Sequence, residues 1–172
     1  MALRPGRTIK QKKRPYTRVS KRKPRKSYVV GVPHPRIHVF EMGNKEGDFD
    51  RALYMVSKDD VQIRHNALEA ARIVTQKYLE KKLGKENFFF KILVYPHHVL
   101  REKSIATGAG ADRFSRGMKL AFGRPVGKAA IVKSGQNIFL VKVNKKNIKT
   151  AREALKRASS KMRCRTRVEV VE

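Results

Sequence analysis

The stretch from Ala106 to Lys128, ATGAGADRFSRGMKLAFGRPVGK, gathers the residue types best suited to holding an anion. Gly108, Gly110, Gly117, Gly123 and Gly127 make up five of the eleven glycines of the chain. Glycine lets a backbone approach a partner closely, and Arg113, Arg116, Lys119, Arg124 and Lys128 supply cations for phosphates. Phe114, Met118 and Phe122 add apolar groups that are a liability on a solvated loop unless a partner covers them. Two nucleotide motifs fail here. Gly108 and Gly110 begin a dinucleotide fingerprint, but Arg113 stands where its third glycine belongs. Gly123 to Lys128 is one residue short of a P-loop and lacks the following Ser or Thr. A connection this long is functional or disordered.

Other chemistry finds little support. His97 and His98 are adjacent, so on a strand they point to opposite faces and do not share a metal. His34 and His38 fall in expected first strands and His65 on an expected first helix, with no carboxylate or cysteine cluster beside them. Cys164 is the single cysteine, which excludes an internal disulfide and a thiolate zinc site. No nucleophile–base arrangement stands out, so the expectation is no catalysis, no metal and no cofactor. No apolar run reaches the length of a membrane span, and neither a membrane nor a homo-oligomeric partner is expected.

Lys and Arg number 42 against 14 Asp and Glu, a formal charge of +28 that calls for a polyanionic partner. Its distribution separates arm from domain. Residues 1–40 carry +13 with no acid, 41–100 only +1, 101–128 +5, and 142–167 +10. The arm, residues 1–26, holds Arg4, Arg7, Lys10, Lys12, Lys13, Arg14, Arg18, Lys21, Arg22, Lys23, Arg25 and Lys26, with Pro5, Pro15 and Pro24 and few apolar groups. Such a segment cannot offset its ordering entropy alone and is expected to order along phosphates, with Tyr16 available to stack on a base. Lys145, Lys146, Arg163 and Arg165 are the further phosphate candidates of the C-terminal stretch. Charge by itself also fits a chromatin-type DNA-binding protein. An RNA-modifying enzyme is a weaker alternative.

The elements that must carry these groups read as a single compact α+β domain, residues 27–172, with a mixed sheet and two main helices. The basic arm precedes it and the loop 106–128 protrudes from it. Tyr28–Val32, Ile37–Phe40 and Leu53–Val56 read as strands. Ser57 to Asp60 has capping-box spacing and is expected to open a helix through about Leu83, stopped by Gly84. Phe88–Tyr95 reads as a buried strand ended by Pro96, with Val99–Ile105 continuing as an extended segment. Ala129–Val132 and Ile138–Val143 look like a hairpin around Ser134–Asn137. A second helix is expected over 147–161, with Ile148, Ala151, Leu155, Ala158 and Met162 on one face, then a final strand through Thr166, Val168 and Val170.

The residues carry a resemblance. Gly110-Ala111-Asp112-Arg113, Gly117-Met118, Ala121-Phe122-Gly123, Pro125 and Gly127 resemble the signature of the universal L-sixteen family of large-subunit ribosomal proteins, in its archaeal and eukaryotic (ten-e) branch. Colinear matches include Gly31-Val32-Pro33, Phe40-Glu41-Met42-Gly43-Asn44, Ala67-Leu68-Glu69-Ala70-Ala71-Arg72, Tyr95-Pro96 with His98-Val99, Gly135-Gln136, and Glu153-Ala154-Leu155 with Arg157-Ala158. The resemblance implies an α/β-hammerhead domain lodged in large-subunit ribosomal RNA, and a cytoplasmic, ribosomal location. It also implies neighbouring ribosomal proteins, with 5S ribosomal RNA a further candidate partner. The loop from Gly110 to Gly127 would reach toward the peptidyl transferase centre and the A- and P-site tRNAs, where RNA does the chemistry. The arm is longer and more basic than the family pattern, matching mainly at Arg4-Pro5 and Pro15-Tyr16. The chain ends at Glu172 without the extension of eukaryotic members, which points to an archaeal type.

Overall fold

Apolar residues alternate along most strands of this chain, so each buries one face, and the fold stacks those faces under two helices. The computed structural model describes residues 4–6, 9, 31–106, 108–119 and 122–171, without the side chain of Asp112. The strands are β1 (Glu41–Gly43), β2 (Arg51–Ser57), β3 (Val61–Arg64), β4 (Phe88–Ile92), β5 (His98–Glu102), β6 (Arg124–Val132), β7 (Asn137–Val143) and β8 (Thr166–Val171). The helices are α1 (His65–Leu83), the single turn α2 (Ala111–Phe114) and α3 (Ile148–Ser159), which a 3-10 turn, Lys145–Asn147, precedes. Five strands form one sheet in the order β1-β4-β7-β2-β8, and three form another in the order β3-β6-β5. All pairings are antiparallel. This is the mixed α+β domain expected.

Helices α1 and α3 pack on each other, α1 also against β3, β4 and β6, and α3 against β2, β7 and β8. Phe88, Phe90, Leu53, Met55, Phe139, Leu68, Leu79 and Leu155 are fully buried between them. Phe90 and Phe139 meet edge to face at 5.4 Å, a favoured aromatic geometry. On α3 the anticipated face holds for Ala151, Leu155 and Ala158, which are buried, and for Ile148, which packs partly buried on the core, while Met162 is buried just beyond the helix. Where the helices cross, the Arg157 guanidinium lies 4.1 Å above the Tyr78 ring and 2.6 Å from the Glu153 carboxylate. A hydrogen bond from the Tyr78 hydroxyl is the main cause holding the Glu153 carboxyl below its ordinary range.

Four expectations are corrected. Ser57 and Asp59 do hydrogen-bond locally, the Ser57 hydroxyl donating to the Asp59 carbonyl at 2.8 Å, but this closes a turn between β2 and β3. The helix starts only at His65, without a side-chain cap. Asp59 and Asp60 are drawn off to tertiary partners instead, Asp59 to Arg165 and Asp60 to the Ser134 amide at 2.7 Å. Second, Ala129–Val132 and Ile138–Val143 are consecutive but not a hairpin, because β6 pairs with β3 and β5 while β7 pairs with β2 and β4. Their turn docks across the sheets, with the Gly135 amide donating to Ser57 O at 2.8 Å. Both strands bury several side chains, and putting them in separate sheets gives each a covered face.

Third, the buried strand stops at Ile92. Beyond it the chain alternates, Val94 and Pro96 buried, Leu93, Tyr95 and His97 exposed. Fourth, Ile37–Phe40 is extended but unpaired as a strand, and Val32 is likewise outside any strand, so neither His34 nor His38 lies on one. Residues 28–30 of the first expected strand lie outside the described residues.

Candidate nucleic-acid interface

The loop springs from the small sheet and is shorter at its base than its composition suggests. Arg124 to Lys128 belong to β6, where Glu102 pairs with Arg124, Arg101 with Pro125, Leu100 with Gly127 and Val99 with Lys128. Pro125 is tolerated beside the register shift at Leu100/Arg101, since a bulge does not require its missing N–H. The loop therefore runs over residues 103–123. Arg101 closes its mouth, donating to Gly123 O at 3.1 Å with its guanidinium 4.3 Å over the Phe122 ring. Lys103 reaches across to the Lys119 carbonyl, and the Ala106 amide donates to the Ser115 hydroxyl at 3.3 Å.

Above that mouth the side chains point to solvent. Phe114 is 85% exposed, Met118 70% and Phe122 49%. Arg113, Arg116, Lys119 and Arg124 are exposed as well, with Lys128 half-buried. Gly108, Gly110 and Gly117 hold positive φ angles of 114°, 76° and 54°, and space around each is open. Gly110 and Ala111 start the turn α2. Gly123 and Gly127 serve the fold itself. A methyl group on Gly123 would lie 2.5 Å from the carbonyl carbon of Glu102, and one on Gly127 3.2 Å from Nε2 of His65.

Cations also collect where β3 passes into α1. The His65 Nδ1 accepts the Arg36 amide N–H at 2.9 Å. Burial first, then Arg36, Arg64 and Lys128, push the imidazole pKa down, so its ring is neutral among cations. Burial likewise lowers the pKa of His98, whose Nδ1 has no partner among the described residues. The root of the N-terminal arm crosses this region. Arg4 pairs with Glu102, Arg64 donates to the Arg4 carbonyl at 2.6 Å, and Arg163 donates to the carbonyls of Gly6 (2.8 Å) and Ile9. Arg165 forms a two-pronged pair with Asp59, at 3.2 and 2.8 Å, which holds that carboxyl below the usual range. Lys145 and Lys146 are exposed ahead of α3. Arg7, Lys10, Lys12, Lys13, Arg14, Tyr16, Arg18, Lys21, Arg22, Lys23, Arg25 and Lys26 lie outside the described residues, as does the Asp112 side chain.

Among the described residues no group of His, Cys, Asp and Glu could hold a metal ion, and no helix is long and apolar enough to cross a membrane. What the surface offers is cations around an exposed apolar loop tip. A family model described as ribosomal protein L16p/L10e matches residues 12–169. The chain belongs to this ribosomal protein family. It is 47% identical to the large ribosomal subunit protein uL16 of Archaeoglobus fulgidus over 170 residues, 99% of this chain and 94% of that one. The protein of the same name from Methanococcus aeolicus is 48% identical over 94% of this chain and 90% of its own length. That of Sulfolobus acidocaldarius is 47% identical over 99% and 94%.

As an L16p/L10e member of archaeal type, the chain is a structural ribosomal protein and not an enzyme, located with ribosomes in the cytoplasm. The loop glycines thus divide into two groups on this structure, three shaping the exposed tip and two admitting close packing at its base. One set of candidates escaped the motif search. Lys149, Arg152 and Lys156 line the outer face of α3, exposed and without an ion-pair partner among the described residues. Their spacing is the complement of the apolar face, so helical periodicity could have found them.

Proposed function

We propose that the chain is a constituent of the large ribosomal subunit that binds large-subunit ribosomal RNA and extends its loop toward the peptidyl transferase centre and the A- and P-site tRNAs. In this reading it has two parts, the RNA-binding arm 1–26 and the domain 27–172, from which the loop 103–123 protrudes. The observation that carries the reading is the exposed loop tip. Phe114 and Met118 stand in solvent beside Arg113, Arg116 and Lys119, an arrangement that suits a partner both apolar and anionic. Nucleic acid, with base faces and phosphates together, is such a partner. The names of the archaeal relatives support placing it in the large subunit. Ribosomal RNA, neighbouring ribosomal proteins and 5S ribosomal RNA are the assembly partners in this account. The protein orients tRNA, and the peptide-bond chemistry belongs to RNA.

Replacing Arg113, Arg116 and Arg124 together with Ala is the direct test. Large subunits containing the variant should assemble, yet bind tRNA about tenfold more weakly, because charge-assisted contacts are lost. Filter binding of tRNA to purified subunits measures this. Failed assembly, with normal tRNA binding by whatever particles form, would move the loop from tRNA handling to scaffolding.

A further inference from the structure

Where β4 leaves the large sheet, three aromatic rings meet at the surface. The Ile92 amide donates to Phe40 O and the Leu93 amide to Ile138 O, both at 2.9 Å, which lays residues 93–97 beside the segment entering β1. Alternation puts Tyr95 and His97 on one face, with Pro96 buried between them. The Tyr95 ring stacks on Phe40 at 5.3 Å and 26°, and His97 lies 4.4 Å from Tyr95 at 47°. Phe40 is anchored on the core, whereas Tyr95 remains 42% exposed and His97 is exposed. Neither the Tyr95 hydroxyl nor the His97 imidazole has a hydrogen-bond partner among the described residues.

Local packing accounts for Phe40 but not for the outer two rings, which keep large faces in water. Glu41, next to Phe40, is held between Lys45 (2.7 Å) and Lys91 (2.8 Å), and hydrogen bonds from these two lysines lower its pKa to about 2. That carboxylate is therefore outnumbered by two cations. Exposed aromatic faces are how proteins hold splayed-out bases.

We infer that Tyr95 and His97, backed by Phe40, form a stacking platform for one unpaired base of RNA. The inference rests on the RNA-binding reading above and adds a site on the opposite side of β5 in sequence from the loop.

The chain has no tryptophan, so Tyr95→Trp gives a single fluorescent reporter at the platform in the full-length protein. A short single-stranded oligoadenylate should quench it saturably, and an A·U duplex of equal length should quench it far less. A Tyr95→Ala, His97→Ala double variant should bind the oligoadenylate roughly tenfold more weakly, the loss typical of one stacked base. Its salt slope should stay unchanged, because no phosphate contact is removed. An unchanged thermal midpoint would confirm that the variant folds. Binding without quenching, or equal quenching by polyglutamate, overturns the platform alone. Absence of any RNA binding sinks this inference and the RNA-binding function together.

Discussion

Deleting residues 1–26 is expected to lower affinity for large-subunit ribosomal RNA by more than about 100-fold near 0.15 M salt, roughly 2.7 kcal/mol. The segment holds twelve of the 42 basic residues and no acid. Each phosphate contact releases counterions and contributes about 0.7–0.9 to the slope of log K against log salt. If half of the twelve cations make contacts, the slope should fall by about 4–5. The domain should still fold, because its buried core draws on residues 37–164. What is lost from the surface is the docking of Arg4, Gly6 and Ile9 on Glu102, Arg64 and Arg163. Exposed pairs of this kind contribute little to stability, so the thermal midpoint should move only slightly. Equal affinity and an equal slope for the truncated and full chains would remove the arm from the RNA-binding account.

The second large effect is expected at the base of the loop. Gly123→Ala places a methyl group 2.5 Å from the carbonyl carbon of Glu102 and 2.7 Å from its nitrogen and oxygen, where only backbone stands to be moved. Strands β5 and β6 must separate, at a cost of about 2 kcal/mol, or roughly 4–8 °C in melting temperature. The same shift takes away the carbonyl that Arg101 uses to close the loop mouth. Gly110→Ala makes a useful comparison, since its φ of 76° carries a cost but the space around it is open. That variant should lose about 1 kcal/mol and leave β5–β6 pairing intact. Calorimetry of both, with amide exchange in residues 98–102, separates the cases. A Gly123→Ala protein as stable as the parent would mean that this contact does not set the loop base.

Local rules made some of this legible. The 3.6-residue spacing of Ala151, Leu155 and Ala158 located α3, since burial of one helix face follows directly from sequence period. Gly84 marked the end of α1, with φ of 81° and its amide bonded to Glu80 O. The arithmetic of charge set the loop and the C-terminal stretch apart from a neutral middle.

The misses share one cause, which is that partners distant in sequence decide. Ser57 and Asp60 have the spacing of a capping box, but Arg165 and Ser134 compete for Asp59 and Asp60 and turn the segment into a β2–β3 connection. Ser134 to Asn137 has hairpin composition, yet the two sheets compete for β6 and β7. Gly123 and Gly127 looked like places for a ligand's close approach, and Glu102 and His65 occupy those places. Tyr95 and Phe40 are far apart in sequence, and only the pairing of β1 with β4 brings them into contact.

The central claim, residence in the large subunit through RNA, is tested most directly by sedimentation. A tagged full-length chain produced in archaeal cells should migrate with large subunits and whole ribosomes on a sucrose gradient, and stay with them through a high-salt wash. A chain that remains at the top of the gradient, or that follows chromosomal DNA and is released by nuclease specific for DNA, would contradict the account.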